Sequence, residues 1–115
     1  MPPMTVYDFG EIILVPFPFT DQSATKKRPA VVVSSKAYSL NLQDIILMAV
    51  TSQIKPSAVF GETMITKWQL ASLLKPSVIK PVFTTIEKSL VLKKLGRLTQ
   101  QDMAALRSTI QNIIG

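Results

Sequence analysis

Cysteine and histidine are absent from this 115-residue chain, and aromatics make up only 7% of it. Without thiols there is no disulfide and no thiolate nucleophile. Without imidazole the usual general base at neutral pH and the commonest zinc ligand are gone. A histidine-held catalytic zinc, a Ser-His-Asp triad and a histidine-pair ribonuclease are therefore excluded. Acids are also scarce, with 7 Asp+Glu against 13 Lys+Arg and a formal charge of +6. They stand apart along the chain, in no paired-carboxylate or metal-ligand spacing, so neither a metal nor a cofactor is expected. The longest uninterrupted apolar run, residues 45–50, falls far short of the ~20 residues that span a bilayer. No Lys or Arg precedes Lys26 and no apolar stretch opens the chain, so no signal peptide and no membrane partner are expected. The expectation is a soluble, cytoplasmic protein.

What is present is globular composition: 47% hydrophobic and 17% charged residues, in a length that suits one domain over 1–115. A pI near 9.9 favours polyanionic partners, because each phosphate neutralised by Lys or Arg releases condensed counterions. Basic charge alone does not make a nucleic-acid binder.

Residues 11–15 (Glu-Ile-Ile-Leu-Val) read as a strand that Pro16 and Pro18 stop. A long polar loop over 17–27 follows, and loops of that length in a small domain are often functional. The β-branched run Ala30-Val31-Val32-Val33-Ser34, entered through Arg28-Pro29, reads as a second strand, and residues 44–50 as a third that pairs with it antiparallel. Tyr38 and Asn41 lie in the connection. Thr51-Ser52-Gln53 opens a second long loop. Residues 62–66 and 77–82 read as further strands. Residues 68–74 leave a short helix and irregular structure both open, 85–89 read as a turn or single helical turn, and 90–95 as helix or strand. Thr99 with Asp102 resembles a capping box, after which Met103, Leu106, Ile110 and Ile113 recur at helical spacing. That predicts a helix over 100–113. The sum is a mainly β fold with α: a small, strongly curved antiparallel β-barrel with a C-terminal helix.

Two loop edges carry chemistry. If the second and third strands are antiparallel, the start of one lies beside the end of the other, which brings the Arg28 guanidinium near the Thr51 hydroxyl. Such a pair suits a phosphodiester, since the fork binds two phosphate oxygens and stabilises pentacoordinate charge while the hydroxyl donates to an oxygen. Each residue also has an ordinary reading, Arg28 as a solvated loop edge and Thr51 as turn chemistry. Phe17, Phe19 and Trp68 are able to stack on bases, though aromatics this sparse more often fill a core. Asp8 and Glu11 read as structural.

In order along the chain stand Gly10-Glu11-Ile12, Pro16-Phe17-Pro18-Phe19-Thr20, Lys27-Arg28-Pro29-Ala30-Val31-Val32-Val33-Ser34, Ala49-Val50-Thr51-Ser52-Gln53, Lys75-Pro76-Ser77-Val78-Ile79-Lys80, Thr85-Ile86-Glu87 and Gly96-Arg97-Leu98-Thr99. This ordered set resembles the MazF/PemK family of toxin endoribonucleases over essentially the whole chain. The resemblance implies an SH3-like (PemK/CcdB-like) barrel and a homodimer. It further implies metal-independent cleavage of single-stranded RNA or mRNA at short motifs through attack of the ribose 2′-hydroxyl. A cognate antitoxin protein is implied as partner, with DNA reached only indirectly through the toxin-antitoxin complex. By position, the family's catalytic arginine and threonine fall on Arg28 and Thr51. Lys27, Ser52, Gln53 and Lys80 fall in or beside segments that line the RNA pocket. The first loop reads Ser23-Ala24-Thr25-Lys26 and Pro81 follows Lys80, where some members carry acids, so no general base is assigned. A non-cleaving protein on the same barrel is the alternative, either a degenerate RNA binder or a gyrase poison. The tail Ile110-Gln111-Asn112-Ile113-Ile114-Gly115 lacks the tryptophan of the gyrase poisons.

Overall fold

Alternation of apolar residues along short β-branched runs builds a sheet with two buried faces, and the computed structural model describes it over residues 5–17, 26–57 and 59–115. Six strands, β1 (Glu11–Phe17), β2 (Lys26–Val32), β3 (Asp44–Thr51), β4 (Thr63–Ile65), β5 (Ser77–Glu87) and β6 (Lys93–Arg97), accompany helices α1 (Lys36–Asn41) and α2 (Gln100–Ile114). The strands join in the order β4-β5-β3-β2-β1-β6, every pairing antiparallel. The sheet curls into a half-barrel with a C-terminal helix, the mainly β fold that the sequence leads one to expect.

One face gathers Ile12, Val31, Met48, Val50 and Ile79 under Met103 and Leu106 of α2. The other gathers Ile13, Val15, Ala30, Val32, Ile45, Leu47 and Ile86 with Tyr7. Because side chains alternate along a strand, a one-residue slip would exchange the two cores, which fixes the register.

Several boundaries differ from expectation. β1 runs through Pro16 to Phe17, because β6 covers β1 only from Glu11 to Leu14 and the missing proline N–H costs no ladder bond beyond it. β2 starts at Lys26 rather than Ala30, paired to β1 through Phe17↔Lys26. Of the expected first loop, Phe17 belongs to β1 and Lys26 and Lys27 to β2, while residues 18–25, with Phe19, Asp21 and the Ser23-Ala24-Thr25 stretch, lie outside the described residues. β5 extends to Glu87, passing Pro81 where the β3 ladder shifts register between Met48 and Val50. Residues 93–97 resolve as strand, and Lys88–Leu90 form a 3₁₀ turn. The six-residue α1, capped by Ser35 accepting from the Tyr38 N–H, replaces the expected connection.

Residues 66–75 cross from β4 back toward β5 and are tied down at several points. Asp102, buried in the first turn of α2, accepts from the Thr66 N–H at 3.1 Å, the Thr66 hydroxyl at 2.7 Å and the Lys67 N–H at 3.0 Å. Thr99 caps α2 as expected, its hydroxyl oxygen accepting from the Asp102 N–H at 3.3 Å. The Asp102 carboxylate also reaches across to residues 66 and 67, so it ties the start of α2 to the turn. A helical turn follows, with Ser72 closing it in the left-handed region at φ 65°. The carbonyl of Ala71 then lies so near β6 that a Cβ on Gly96 would meet its oxygen at 2.5 Å, which requires glycine there.

Glu11 bridges the other side of the sheet. It contacts Lys94 at 3.0 Å and Arg97 at 3.9 Å, and accepts from the Asp8 N–H at 2.6 Å, which makes Asp8 and Glu11 parts of the β1–β6 joint.

Candidate functional site

The β2–β3 ladder pairs Val32↔Leu47, Val31↔Met48 and Ala30↔Ala49 and ends there. Two residues further along each strand stand Arg28 and Thr51. Both line the same two depressions, one of about 410 Å³ and one of about 310 Å³, which also share Pro29 and Val50. The antiparallel geometry thus brings the two sequence-selected residues together, as the strand directions required.

Arg28 is exposed at the cross-strand partner position of Val15, and its guanidinium lies 5.8 Å from the centre of the Phe17 ring. An aromatic face beside a guanidinium restrains the fork without neutralising it. Thr51 is half-buried, and its hydroxyl oxygen accepts from the Gln53 N–H at 3.1 Å. That bond occupies one lone pair and leaves the hydroxyl proton free to point toward a ligand.

Lys80 of β5 and Gln53 join Arg28, Thr51 and Phe17 around the smaller depression, and Ser52 lines the larger one. Lys27, exposed opposite Pro16 on the neighbouring position of β2, lines neither. No acid is among the described residues that line either depression, so Arg28, Lys75 and Lys80 give both a positive field. Among the described residues no group of three or more Asp or Glu stands close enough to hold a metal ion. Trp68 is packed against the core rather than presented at the site, and Phe19 lies outside the described residues.

Sequence reasoning missed one wall. Leu73, Leu74 and Lys75 line the larger depression together with Arg28, and they are placed there by the tied-down turn over 66–75. The available signals were Asp102 in a helical first turn and Gly96 in a strand, neither of which points to residues 73–75 without the fold. The Asp102 carboxyl has a displaced pKa. Burial alone would raise it, but the hydrogen bonds from Lys67 and Thr66 outweigh burial and hold it below the usual carboxylate range.

Residues 8–114 match a family described as the PemK-like, MazF-like toxin of type II toxin-antitoxin systems. A search of curated proteins finds no match. Among solved structures, a MazE-MazF crystal structure from Deinococcus radiodurans is similar at a TM-score of 0.75, with 23% identity over 96% of this chain and 98% of that one. An endoribonuclease in complex with its cognate antitoxin, from a Mycobacterial species, reaches 0.73 with 16% identity over 97% and 96%. The Mycobacterium tuberculosis toxin MazF-mt6 also reaches 0.73, with 18% identity over 90% and 95%. At these identities the structural likeness speaks for the fold.

Proposed function

The chain belongs to the PemK-like, MazF-like family of type II toxins, and from that premise we propose that it is a metal-independent endoribonuclease that cuts single-stranded RNA at a short motif. The observation that carries the reading is the sharing of both depressions by Arg28 and Thr51, on walls free of carboxylates among the described residues. A phosphodiester set against this pair meets a cationic fork and a hydroxyl donor, with Lys80 and Gln53 beside them.

In the reaction the ribose 2′-oxygen attacks the adjacent phosphorus as the bond to the 5′-oxygen breaks, leaving a 2′,3′-cyclic phosphate and a 5′-hydroxyl. Arg28 stabilises the extra negative charge of the phosphorane, and Thr51 donates to a non-bridging oxygen and orients it. A guanidinium holds its protons too firmly to act as an acid, so Arg28 serves as a fixed charge, and the 2′-hydroxyl proton and the proton on the departing oxygen are exchanged with water. Ser52, Gln53 and Lys80 contact the RNA on either side, and Lys27 acts at longer range through its charge.

A homodimer and a cognate antitoxin belong to the same reading, the latter supported by similarity to toxins solved with their antitoxins. DNA is then met only through that complex. No described helix is long and apolar enough to cross a membrane, and the cytoplasm, where mRNA is found, is the proposed site of action. The test incubates the parent, Arg28→Ala and Thr51→Ala with a long defined RNA in EDTA and maps new 5′ ends. Cleavage at a recurring motif by the parent, lost in both variants, supports the reading; equal cleavage by Arg28→Ala overturns the assignment.

A further inference from the structure

The larger depression has the chemistry of a slot for something flat, uncharged and edged with hydrogen-bonding groups. Leu14, Pro29, Val50, Leu73 and Leu95 make its walls, and the hydroxyl-bearing residues Ser52, Ser72 and Ser77 supply its polar points. The Ser77 hydroxyl already donates to the Lys75 carbonyl at 2.9 Å, so toward the slot it acts as an acceptor. Arg28 and Thr51 lie on one wall, and Lys75 on the same turn as Leu73 and Leu74. A free phosphate gains nothing from leucine walls, whereas a nucleotide does: its phosphate meets Arg28 and Thr51 while its base enters the apolar part. At about 410 Å³ the space falls within the ~300–1,000 Å³ common for small-molecule sites.

We propose that this depression is a nucleobase subsite, taking the base of one nucleotide beside the scissile phosphate, and that residues 73–75 decide which base is accepted. The inference rests on the ribonuclease reading above. It places base selection on the turn that ends in residues 73–75. The turn is suited to that task because it is fixed from several sides. Asp102 holds its start, Gly96 admits the Ala71 carbonyl against β6, and Leu73 is anchored in the core. A wall held this firmly keeps a base at a constant distance from Arg28, as discrimination between bases requires.

The test compares Leu74→Ala and Leu73→Ala with the parent on one long RNA of defined sequence, fitting a rate to every cleavage site. Leu74 is 93% exposed, so its truncation leaves the fold intact whatever Leu73→Ala does. The expected result is a relaxed preference at a single motif position in both variants, on the order of tenfold, as removal of apolar pocket contacts gives. The other motif positions stay as in the parent. A motif and preferences unchanged at every position in Leu74→Ala overturn the subsite while leaving the ribonuclease reading intact; the slot is then open to a partner's apolar side chain. A uniform slowing at all sites overturns it as well. A parent that cuts no RNA overturns both readings together.

Discussion

Removal of the Asp102 carboxylate should unfasten α2 from the turn that walls the site. In Asp102→Ala three donors, the Thr66 N–H, the Thr66 hydroxyl and the Lys67 N–H, lose a charged acceptor that is 1% exposed. Each hydrogen bond to a charged group contributes about 1.5–3 kcal/mol, but Thr66 and Lys67 are exposed residues whose donors water can reach once the carboxylate is gone. The low end therefore applies and the losses do not add fully, giving about 3 kcal/mol for Asp102→Ala. Asp102→Asn keeps one accepting oxygen but turns an amide toward a donor, and costs about half as much. Urea unfolding followed by tryptophan fluorescence reads both, since Trp68 packs against the core beside the clamp. The pH dependence carries the same signature. Because the folded-state pKa is depressed, the stabilisation is fully present above the unfolded value of about 3.9 and is lost as pH falls through the lower folded value. Asp102→Asn should flatten that part of the acid limb. An Asp102→Ala protein within about 0.5 kcal/mol of the parent, or an unchanged acid limb in Asp102→Asn, would refute the clamp.

Three further outcomes follow from the geometry. Arg28→Lys keeps the charge and gives up the two-pronged fork, so RNA cleavage should fall about 100-fold; a single-turnover rate close to the parent's would place the fork elsewhere. Gly96→Ala drives a methyl into the Ala71 carbonyl and should cost about 1–3 kcal/mol in chemical denaturation, with no loss if residues 66–75 are free to lift away. Lys80→Ala should lower the slope of log affinity for single-stranded RNA against log salt by about 0.7; an unchanged slope would remove Lys80 from the phosphate path.

The strand pair that builds the site was legible because its information is local. The β-branched runs around Val31 and Ile46 identify two strands, and antiparallel pairing alone places Arg28 across from Thr51. Helix α2 was equally plain, its stripe of Met103, Leu106, Ile110 and Ile113 ending one residue short of the observed Ile114. Proline misled the reading of strand limits. It halts a strand only where a neighbour needs its N–H, and the sequence does not say where the neighbours stop. The far part of β5, Val82 to Thr84, is polar or exposed, so its pairing with β3 leaves little hydrophobic pattern to read. The wall of the larger depression was illegible for a different reason. Asp102 and Thr66 are 36 residues apart, and their bond exists only once α2 has packed on the sheet.

Pro16 and Pro29 sit where a strand has outrun a neighbouring ladder, Pro81 lies past the end of the β4 ladder at the register shift against β3, and all three belong to strands that flank the site. An open strand margin normally invites a visiting peptide to zip on through its own backbone. Here each proline withholds one of the main-chain donors that such zipping needs, and its ring stiffens the chain without any bond across the gap. The rim of the site is thus held in shape by restricted rotation and is a poor template for a guest strand. A protein that covers this mouth has to grip it by side chains lodged in the depressions, so a blocking peptide is best sought by varying its anchoring side chains rather than its capacity to extend the sheet.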